Sequence, residues 1–414
     1  MMYNKKIKYR KESINKKLIN ISIRLIIRDC MKKITILSLH LGYGGAERCI
    51  TNLANSLVGK YNVEILSVYK LYDKPAFDID KRVNVRYLTD VVPNRDDIRF
   101  DLKHLRVFSL VKDFFHALKV LHLKKKRTID AIDACDSDII ISSKVYFNKL
   151  LGEYKNDGVR AIGWEHNYNN HTKKEIKEFI KSCKYLDDVV MVNKELQEFY
   201  QKEFSKNELK CRVRYIPNYI DDVSKTTTKY DNRNLIAVGR LEAVKGFDDL
   251  IKVYKLVNLK TQGTSLTLVG DGKEKNSLFE AVVKNDLSSK VKMPGYLLQE
   301  DIDKLYNKSC LYIMTSHSES FGLVMLEAMS HGLPVVAFSS AEGARELIED
   351  GYNGYLISNR NEFEMADKII ELLNDVDKLK KMGANAYTSA KKYTKKVVVK
   401  TWEQLLDETN DKEN

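Results

Sequence analysis

Short apolar runs alternate with longer amphipathic segments along almost the whole chain of 414 residues. A run of four to eight apolar residues is typical of a buried strand, and the segments between them have the period of helices. This alternation predicts parallel sheets covered by helices on both faces. The predicted strands are Lys33–Leu39, Val63–Val68, Val83–Tyr87, Ile139–Ser142, Arg160–Trp164, Val189–Val192, Val213–Ile216, Leu235–Val238, Ser265–Val269, Val291–Met293, Leu311–Thr315, Val335–Ala337 and Tyr355–Ile357.

A polar stretch interrupts the alternation after Pro217-Asn218. It is rich in Thr, Lys and Asp and predicts a linker at residues 219–233. The chain is long enough for two domains of ordinary size. We therefore expect two Rossmann-like α/β domains, 31–218 and 234–394, facing across a cleft that holds ligands at the carboxyl ends of the strands. A last helix and tail would occupy residues 395–414.

Residues 1–30 carry nine Lys or Arg against two acids, which is +7 of the formal net charge of +13. Met31 is a natural start for the first strand, so this basic extension is expected to have no role in the fold. The competing interpretation is a basic arm that touches anionic lipid.

Composition narrows the class of protein. Six scattered cysteines without a C-x-x-C pair favour a reducing cytosol over disulfides or a zinc site. The longest apolar run falls short of the 18 residues of a membrane span. No aromatic-basic platform accompanies the positive charge, so nucleic acid is not an expected partner.

The segment 318–329 places two carboxylates, Glu319 and Glu327, eight residues apart around a predicted helix start. Ser320 is the expected N-cap, which would leave first-turn amides facing outward to attract an anion. Glu327 lies on an apolar helix, where a buried carboxylate needs donors such as sugar hydroxyls. The alternative is a core helix whose single Glu is capped by a neighbouring backbone group.

Several glycine turns follow predicted strands in the same way. Gly239, Arg240 and Lys245 follow one strand, Gly270 closes the next, and Gly295-Tyr296-Leu297 follows a third. In the first half, Gly44 and Gly45 follow the first core strand, and Trp164-Glu165-His166-Asn167 ends a later one.

In this order and spacing, the segments resemble retaining glycosyltransferases of the GT-B fold, specifically glycosyltransferase family 4. The resemblance covers roughly residues 31–400 and is most specific in the second half. It implies that Arg240 and Lys245 bind the donor diphosphate, where positive charge is needed as the anomeric bond breaks. It also implies that Glu327 holds the ribose, that Glu319 lies near the hexose, and that the last helix crosses back to the first domain.

The remaining site residues follow from the same resemblance. His166 would contact the donor sugar from the first domain and, with Glu319, Arg240 and Lys245, complete the catalytic set. Gly44 and Gly45 would let backbone amides approach the phosphates or the acceptor. The rest of the donor pocket would be formed by Gly239, Gly270, Tyr296, Leu297, Ser320, Phe321, Gly322, Leu323 and Glu327.

Four Asp-x-Asp pairs occur, at 78/80, 136/138, 301/303 and 375/377. Metal-dependent glycosyltransferases use such a pair at the carboxyl end of a strand, and none of the four has that placement in the predicted structure. We therefore expect no required metal and no cofactor beyond the nucleotide sugar, which is a co-substrate.

The segment 101–127 combines an apolar face with positive charge on a predicted helix, Asp101–Leu123. Its apolar positions are Leu102, Leu105, Phe108, Val111, Phe115, Leu118 and Leu121. Such a helix suits an anionic membrane surface or a lipid-linked diphosphate acceptor. A domain helix that buries its apolar face on the sheet explains the same pattern, and both interpretations stay open.

The sequence favours a retaining hexosyltransferase that moves a hexose or N-acetylhexosamine from a nucleotide sugar, with UDP preferred, to a lipid-linked or growing bacterial surface glycan. Such an enzyme would be cytoplasmic and peripheral at the inner face of the cell membrane. The alternatives are a GT-B-like nucleotide-sugar 2-epimerase and a catalytically silent glycan-binding scaffold.

Overall fold

A computed structural model describes residues 31–104, 106–166 and 172–408 of the chain. The basic extension, Leu105, Asn167, His171 and the tail from residue 409 lie outside the described residues, as do the side chains of Arg95 and Asp96. The chain divides into two compact units. The first runs up to Trp164 and includes Ser182–Asp188, and the second comprises Glu165–Lys181 and Val189–Thr409.

The first sheet has seven strands in the order β3-β2-β1-β4-β5-β6-β7. Its inner strands are short runs of Ile, Val and Leu that are buried on both faces, as expected for a parallel sheet covered by helices. The strands are β1 Lys33–Ser38, β2 Asn62–Tyr69, β3 Asn84–Thr89, β4 Ile139–Ser142, β5 Arg160–Glu165, β6 Asp188–Met191 and β7 Arg212–Tyr215.

The helices that accompany these strands are α1 Gly45–Leu57, α2 Arg95–Lys103, α3 Val107–Asp133, α4 Val145–Tyr154, α5 Lys173–Ser182 and α6 Lys194–Lys206. The predicted continuous helix over 101–127 is wrong, because the chain breaks between α2 and α3. At the break the Arg106 N–H donates to the Asp101 carbonyl (3.0 Å) instead of continuing the helical ladder. The Arg106 guanidinium packs over the Phe100 ring, 5.1 Å from its centroid.

The second sheet has six strands in the order β10-β9-β8-β11-β12-β13. Its strands are β8 Asn234–Val238, β9 Ser265–Val269, β10 Val291–Gly295, β11 Leu311–Met314, β12 Val335–Phe338 and β13 Gly354–Ile357. All thirteen predicted strands are confirmed, each within two residues of its predicted bounds.

The core of the second unit packs the faces of β8, β9 and β11 against helices whose apolar residues recur at helical spacing. The helices that follow β8 are α7 Phe247–Lys260, α8 Lys275–Lys284, α9 Gln299–Asn307, α10 Leu323–Ser330, α11 Glu342–Leu347, α12 Glu362–Asn374, α13 Val376–Ala390 and α14 Lys395–Asp407. Of these, α7, α8, α12 and α13 contribute residues to that core. Short 3-10 turns lie at Ala243–Lys245, Ser358–Arg360 and Lys391–Tyr393.

Candidate active site

The order in which strands are added to the second sheet reverses between β8 and β11. From β8 the chain adds β9 and β10 on one side, and it then returns to place β11 on the other side of β8. In open α/β sheets, ligands bind outside the carboxyl ends of the strands at such a switch point. The turns after β8 and β11 are therefore the first place to look for a site.

Two glycines let the chain pass closely at the ends of these strands. A Cβ on Gly270 would lie 1.8 Å from the Gly239 carbonyl oxygen, which no side chain could tolerate. Gly246 has φ +60°, and a Cβ there would lie 2.3 Å from the Thr315 carbonyl oxygen. The turn after β8 is thus held against the end of β11, and Lys245 is carried with it.

Lys245 and Glu319 form an ion pair at this switch point. Their side chains are only 16% and 20% exposed, so the pair is shielded from much of the solvent. The Thr315 hydroxyl donates to the Lys245 carbonyl (3.3 Å), which fixes the backbone of the turn. Two residues predicted from separate segments therefore meet, and they place a cation beside a carboxylate where a charged ligand would bind.

Glu342, which the sequence interpretation missed, holds Glu319 in place. The Glu319 N–H donates to the Glu342 carboxylate at 3.2 Å, and the Glu319 carbonyl accepts from the Gly343 N–H at 2.6 Å. Burial raises the pKa of Glu342, and hydrogen bonds to its carboxylate from the backbone N–H groups of Glu342 and Glu319 oppose that shift. In the sequence it is only an acid in the segment that follows a predicted buried strand, Val335–Ala337.

Arg240 stands apart from this pair. Its guanidinium is 62% exposed and contacts the Glu242 carboxylate at 3.2 Å. The Leu241 N–H donates to the Asp271 carbonyl (2.9 Å), which fixes the turn that carries Arg240. Arg240 and Lys245 thus contact different carboxylates.

Helix α10 begins differently from the prediction. Its N-cap is Gly322, in the left-handed conformation with φ +85°, and no side chain of the described residues caps it. Ser320 lies two residues earlier, and its carbonyl accepts from the Asn193 side-chain amide at 2.8 Å. The proposed Ser320 cap is therefore wrong, but a glycine cap likewise leaves the helix start without a competing side-chain oxygen.

Glu327 is buried in α10, with 5% of its surface exposed. Its carboxylate lies 3.5 Å from the Gln299 side-chain amide, a long and therefore weak hydrogen bond. The buried Tyr312 hydroxyl donates to the Val238 carbonyl at 3.2 Å. Burial raises the pKa of Tyr312, and the nearby charges of Glu319 and Glu327 raise it further. Both predicted carboxylates thus raise the pKa of the same tyrosine, Tyr312.

The turn after β10 lies beside the turn after β9, since the Gly270 N–H donates to the Gly295 carbonyl at 3.0 Å. Tyr296 is 57% exposed and Leu297 is half-buried, so an aromatic ring is presented to solvent at this edge of the sheet. Phe321 is fully buried, and Leu323 is half-buried in the first turn of α10. Phe321 thus serves the core rather than an open pocket.

The first sheet has its own switch point, between β1 and β4. Gly44 is the N-cap of α1, and Gly45 is its first residue. The buried Glu47 carboxylate lies 3.7 Å from His40 Nδ1, and the Gly42 N–H donates to the same nitrogen at 3.2 Å. Burial lowers the pKa of His40, Glu47 opposes that shift, and Lys144 adds to it.

An aromatic cluster at this switch point was also missed. The rings of Tyr43 and Tyr72 are both about half exposed and lie edge to face, with centroids 5.8 Å apart. Phe77 joins them with its centroid 6.4 Å from that of Tyr43. Isolated tyrosines in polar loops gave no sequence signal, because the contact joins two separate turns.

His166 directly follows β5 and is 9% exposed, while Glu165, the last residue of β5, is buried beside it. Since residues 167–171 lie outside the described chain, the predicted contact of His166 with a donor sugar stays a prediction. A possible cation ligand set in the second unit is Asp248, Asp249 and His317, whose ligand atoms lie within 4.8 Å of one another. In the structure Asp249 forms ion pairs with Arg360 and Lys252. Metal independence of the enzyme also stays a prediction.

Comparison of the whole fold identifies its class. S. aureus TarM, crystallised as a mutant with fondaparinux, alpha-GlcNAc-glycerol and UDP, superposes with a TM-score of 0.72 at 18% identity, covering 91% of this chain and 100% of TarM. The two parallel-sheet α/β units, each with a switch point, therefore define a GT-B fold.

Sequence comparison adds the activity. Residues 220–389 match the family model "Glycosyl transferases group 1". An uncharacterized glycosyltransferase of Haemophilus influenzae is 28% identical over 384 residues, which are 91% of this chain and 100% of the relative. A Campylobacter jejuni enzyme that is named as an undecaprenol-diphosphate glycan alpha-1,4-N-acetyl-D-galactosaminyltransferase is 24% identical over 92% of this chain and 100% of its own length. The chain is thus a glycosyltransferase whose residues 220–389 are similar to the group 1 glycosyl transferases.

In the part of the chain that the structure describes, every helix is too short or too polar to cross a bilayer.

Proposed function

We propose that this enzyme moves a hexose or N-acetylhexosamine from a UDP-sugar to a lipid-linked or growing bacterial surface glycan, with retention at the anomeric carbon. The Campylobacter jejuni relative supports the acceptor class, since its name describes a glycan on undecaprenol diphosphate. The presence of UDP in the TarM complex supports the nucleotide.

The observation that carries the proposal is the Lys245–Glu319 ion pair at the β8–β11 switch point. A donor diphosphate needs positive charge and N–H donors where its negative charge grows during bond cleavage. Lys245 supplies the charge, and the glycine-capped start of α10 supplies backbone donors and a favourable helix dipole. We assign this place to the diphosphate of the donor.

The two carboxylates then divide the rest of the donor. Glu327 is buried in α10, and we assign it the ribose, whose hydroxyls can donate hydrogen bonds to a buried carboxylate. Glu319 would leave its pair with Lys245, in part, to accept from a hydroxyl of the transferred sugar. The bond from the anomeric carbon to the diphosphate oxygen breaks, a bond from that carbon to the acceptor hydroxyl oxygen forms, and the hydroxyl proton passes to the leaving diphosphate.

We place the reaction at the inner face of the cell membrane, where a lipid-linked acceptor would be met. One interpretation of the sequence gives residues 101–127 a membrane contact as a single helix. Because the chain breaks between α2 and α3, that contact would be made by two separate helices. The enzyme would be cytoplasmic and would dock reversibly.

The test is a panel of UDP-, GDP- and ADP-sugars, incubated with and without a glycan on undecaprenyl diphosphate, with free nucleotide and product followed by NMR. We expect UDP release that depends on the acceptor and an alpha linkage made from an alpha-linked donor. EDTA should leave the rate unchanged, since no metal is required in this account.

Three results would overturn the proposal. A beta-linked product would exclude retention, and a preference for another nucleotide would exclude UDP. Release of UDP with a free 2-epimer, and no transfer to any acceptor, would favour the epimerase.

A further inference from the structure

Helix α3 presents a large apolar face to solvent. Phe108 is 95% exposed, Phe115 is 64% exposed and Phe114 is 60% exposed. At 100° per residue, the exposed apolar side chains fall within an arc of about 140°. This aromatic face consists of Phe108, Val111, Phe114, Phe115, Leu118 and Leu121.

The helix is held on the protein by its other side and its far end. Val120, Thr128, Ala131 and Ile132 are buried, and all but Val120 lie in the last two turns. Of the two interpretations that the sequence left open, burial of the apolar face against the sheet is therefore wrong for this part of the helix. On the preceding helix α2, Phe100 and Leu102 are also exposed, at 49% and 65%. Contiguous exposed apolar surface of this kind marks an interaction site.

The charge of the same segment narrows the class of partner that this face can bind. Residues 99–127 contain nine Lys or Arg against two Asp, a net charge of +7. Lys112 and Lys119 are exposed and lie beside the aromatic face on the surface of the helix. Lys125 and Lys126 are also exposed and lie closer to the carboxyl end of the helix. Lys124 is not part of this set, because its ammonium lies over the Tyr146 ring, 3.6 Å from the centroid.

We propose that the aromatic face inserts into an anionic lipid bilayer, with Lys112, Lys119, Lys125 and Lys126 at the headgroups. Large apolar side chains beside lysines are what a helix lying in the membrane interface requires. A second copy of the chain fits less well, since it would bring two surfaces of the same positive charge together. The inference rests on the proposed function only in placing the enzyme at a membrane.

This proposal differs from adsorption through the basic run alone. A purely electrostatic contact would need the lysines and would vanish when salt screens them. Insertion adds a contribution to the free energy of membrane binding that depends on Phe108 and Phe115. This contribution persists at high salt, because salt does not screen the transfer of apolar side chains into lipid.

The chain provides a clean reporter of insertion. Its two tryptophans, Trp164 and Trp402, are both buried. In the full-length Phe115→Trp protein, an added indole would therefore sit alone on the surface. On titration with vesicles of phosphatidylglycerol and phosphatidylethanolamine, we expect its emission to shift to shorter wavelength and to be quenched by brominated lipid. Emission that stays at the wavelength of exposed indole while the protein sediments with vesicles would overturn insertion.

The second arm compares matched variants by sedimentation with the same vesicles. Phe108→Ser/Phe115→Ser should weaken binding at least about 10-fold, since two large side chains lose their transfer to lipid. Phe279→Ser/Phe363→Ser is the control, because those rings are 60% and 68% exposed on the other unit. The control should bind as the wild type does.

A third variant, Lys125→Gln/Lys126→Gln, should reduce the salt-sensitive part of binding only. Equal binding of wild type and Phe108→Ser/Phe115→Ser would refute the proposal. So would full loss of binding on deletion of residues 1–30, which would make that arm the anchor. A wild-type dimer that the Phe variant turns into a monomer, with no lipid binding by either, would identify a homodimer interface instead. None of these assays uses a sugar, so failure of the proposed transfer reaction would be seen separately.

Discussion

The two sheets have the same kind of switch point but fill it with different chemistry. Between β8 and β11 lie opposite charges, Lys245 and Glu319, with a glycine-capped helix start and the buried Glu327. Between β1 and β4 lie a histidine whose pKa is lowered, its carboxylate partner Glu47, and the exposed rings of Tyr43 and Tyr72. The first arrangement suits a charged diphosphate, and the second suits a ligand with apolar faces and hydroxyls, such as a sugar ring.

The difference shows that the fold determines where a ligand binds, whereas the residues of the turns determine which class of ligand binds. Parallel strands bring two turns together at either switch point. In the second sheet those turns join Lys245 and Glu319 in an ion pair that is largely shielded from solvent. The predictions below test whether this ion pair and the histidine and tyrosines of the first sheet have the separate roles that the comparison gives them.

The largest effect is expected at the charged switch point. Lys245→Ala should lower the turnover rate about 100- to 1000-fold, the usual loss when one donor to developing charge is removed. Arg240→Ala should lose less, because its guanidinium is 62% exposed and is engaged by Glu242. Steady-state UDP release measures both. Lys260→Ala, which removes an exposed surface ion pair with Asp367, is the control. A Lys245→Ala enzyme within a few-fold of wild type would make the Lys245–Glu319 pair structural only.

Glu327→Ala should weaken UDP binding by about 1.5–3 kcal/mol, roughly 10- to 150-fold, because charge-assisted hydrogen bonds to the ribose are lost. Calorimetry with UDP gives the affinity directly, and acceptor affinity should not change. Glu280→Ala removes a carboxylate from the exposed surface of α8 and should bind UDP normally. Unchanged UDP affinity in a folded Glu327→Ala protein would mean that Glu327 is only a core carboxylate.

At the other switch point, two adjacent glycines should behave differently. A Cβ at Gly44 would lie 2.1 Å from the Glu47 carboxylate and would push it away from His40, whereas a Cβ at Gly45 meets nothing within 4 Å. Gly44→Ala should therefore lower the free energy of unfolding by about 1 kcal/mol, the size of one hydrogen bond's net contribution, because the contact with His40 is lost when the flexible Glu47 side chain moves. Gly45→Ala should be neutral or stabilising by up to about 1 kcal/mol, since alanine favours the first turn of a helix. Urea denaturation distinguishes them, and equal losses would contradict the proposed geometry.

The smallest effect concerns pH. His40 and His331 both have pKa values lowered by burial from the ordinary 6.5, so the unfolded chain binds more protons than the folded one below that pH. Stability should be level above pH 6.5, fall as the pH drops below it, and level off again below the folded pKa values. His40→Gln should flatten this fall, because it removes one of the two groups that bind a proton more weakly in the folded chain than in the unfolded one. Thermal unfolding between pH 8 and about pH 5 measures it, with His331→Gln as the comparison from the second unit.

Strand positions could be predicted from the sequence because burial on both faces leaves a direct signal, as in Ile139–Ser142 and Ser265–Val269. The helix boundaries were harder. Ser320 was predicted as a cap from its residue type, but Gly322 adopts the left-handed conformation that places the start of α10 two residues later. Similarly, the apolar period over 101–123 continues across a break in the helix, where the Arg106 N–H donates to the Asp101 carbonyl.

For the site, residue types were predictable and pairings were not. Lys245 and Glu319 are 74 positions apart, and only the order of the strands brings them together. Glu342 has no motif of its own, and its importance comes from accepting the Glu319 N–H. The two tyrosines of the first switch point became visible only through their contact. Such pairings depend on topology, which residue patterns describe only indirectly.

The aromatic face of α3 also has a consequence for how the enzyme behaves in solution. At low ionic strength, the net positive charge of the segment keeps copies of the protein apart. Added salt shortens the range of that repulsion, to about 3 Å at 1 M, and leaves the attraction between exposed rings in place. Solubility should therefore fall as salt is raised, and a mild detergent should restore it by covering Phe108 and its neighbours.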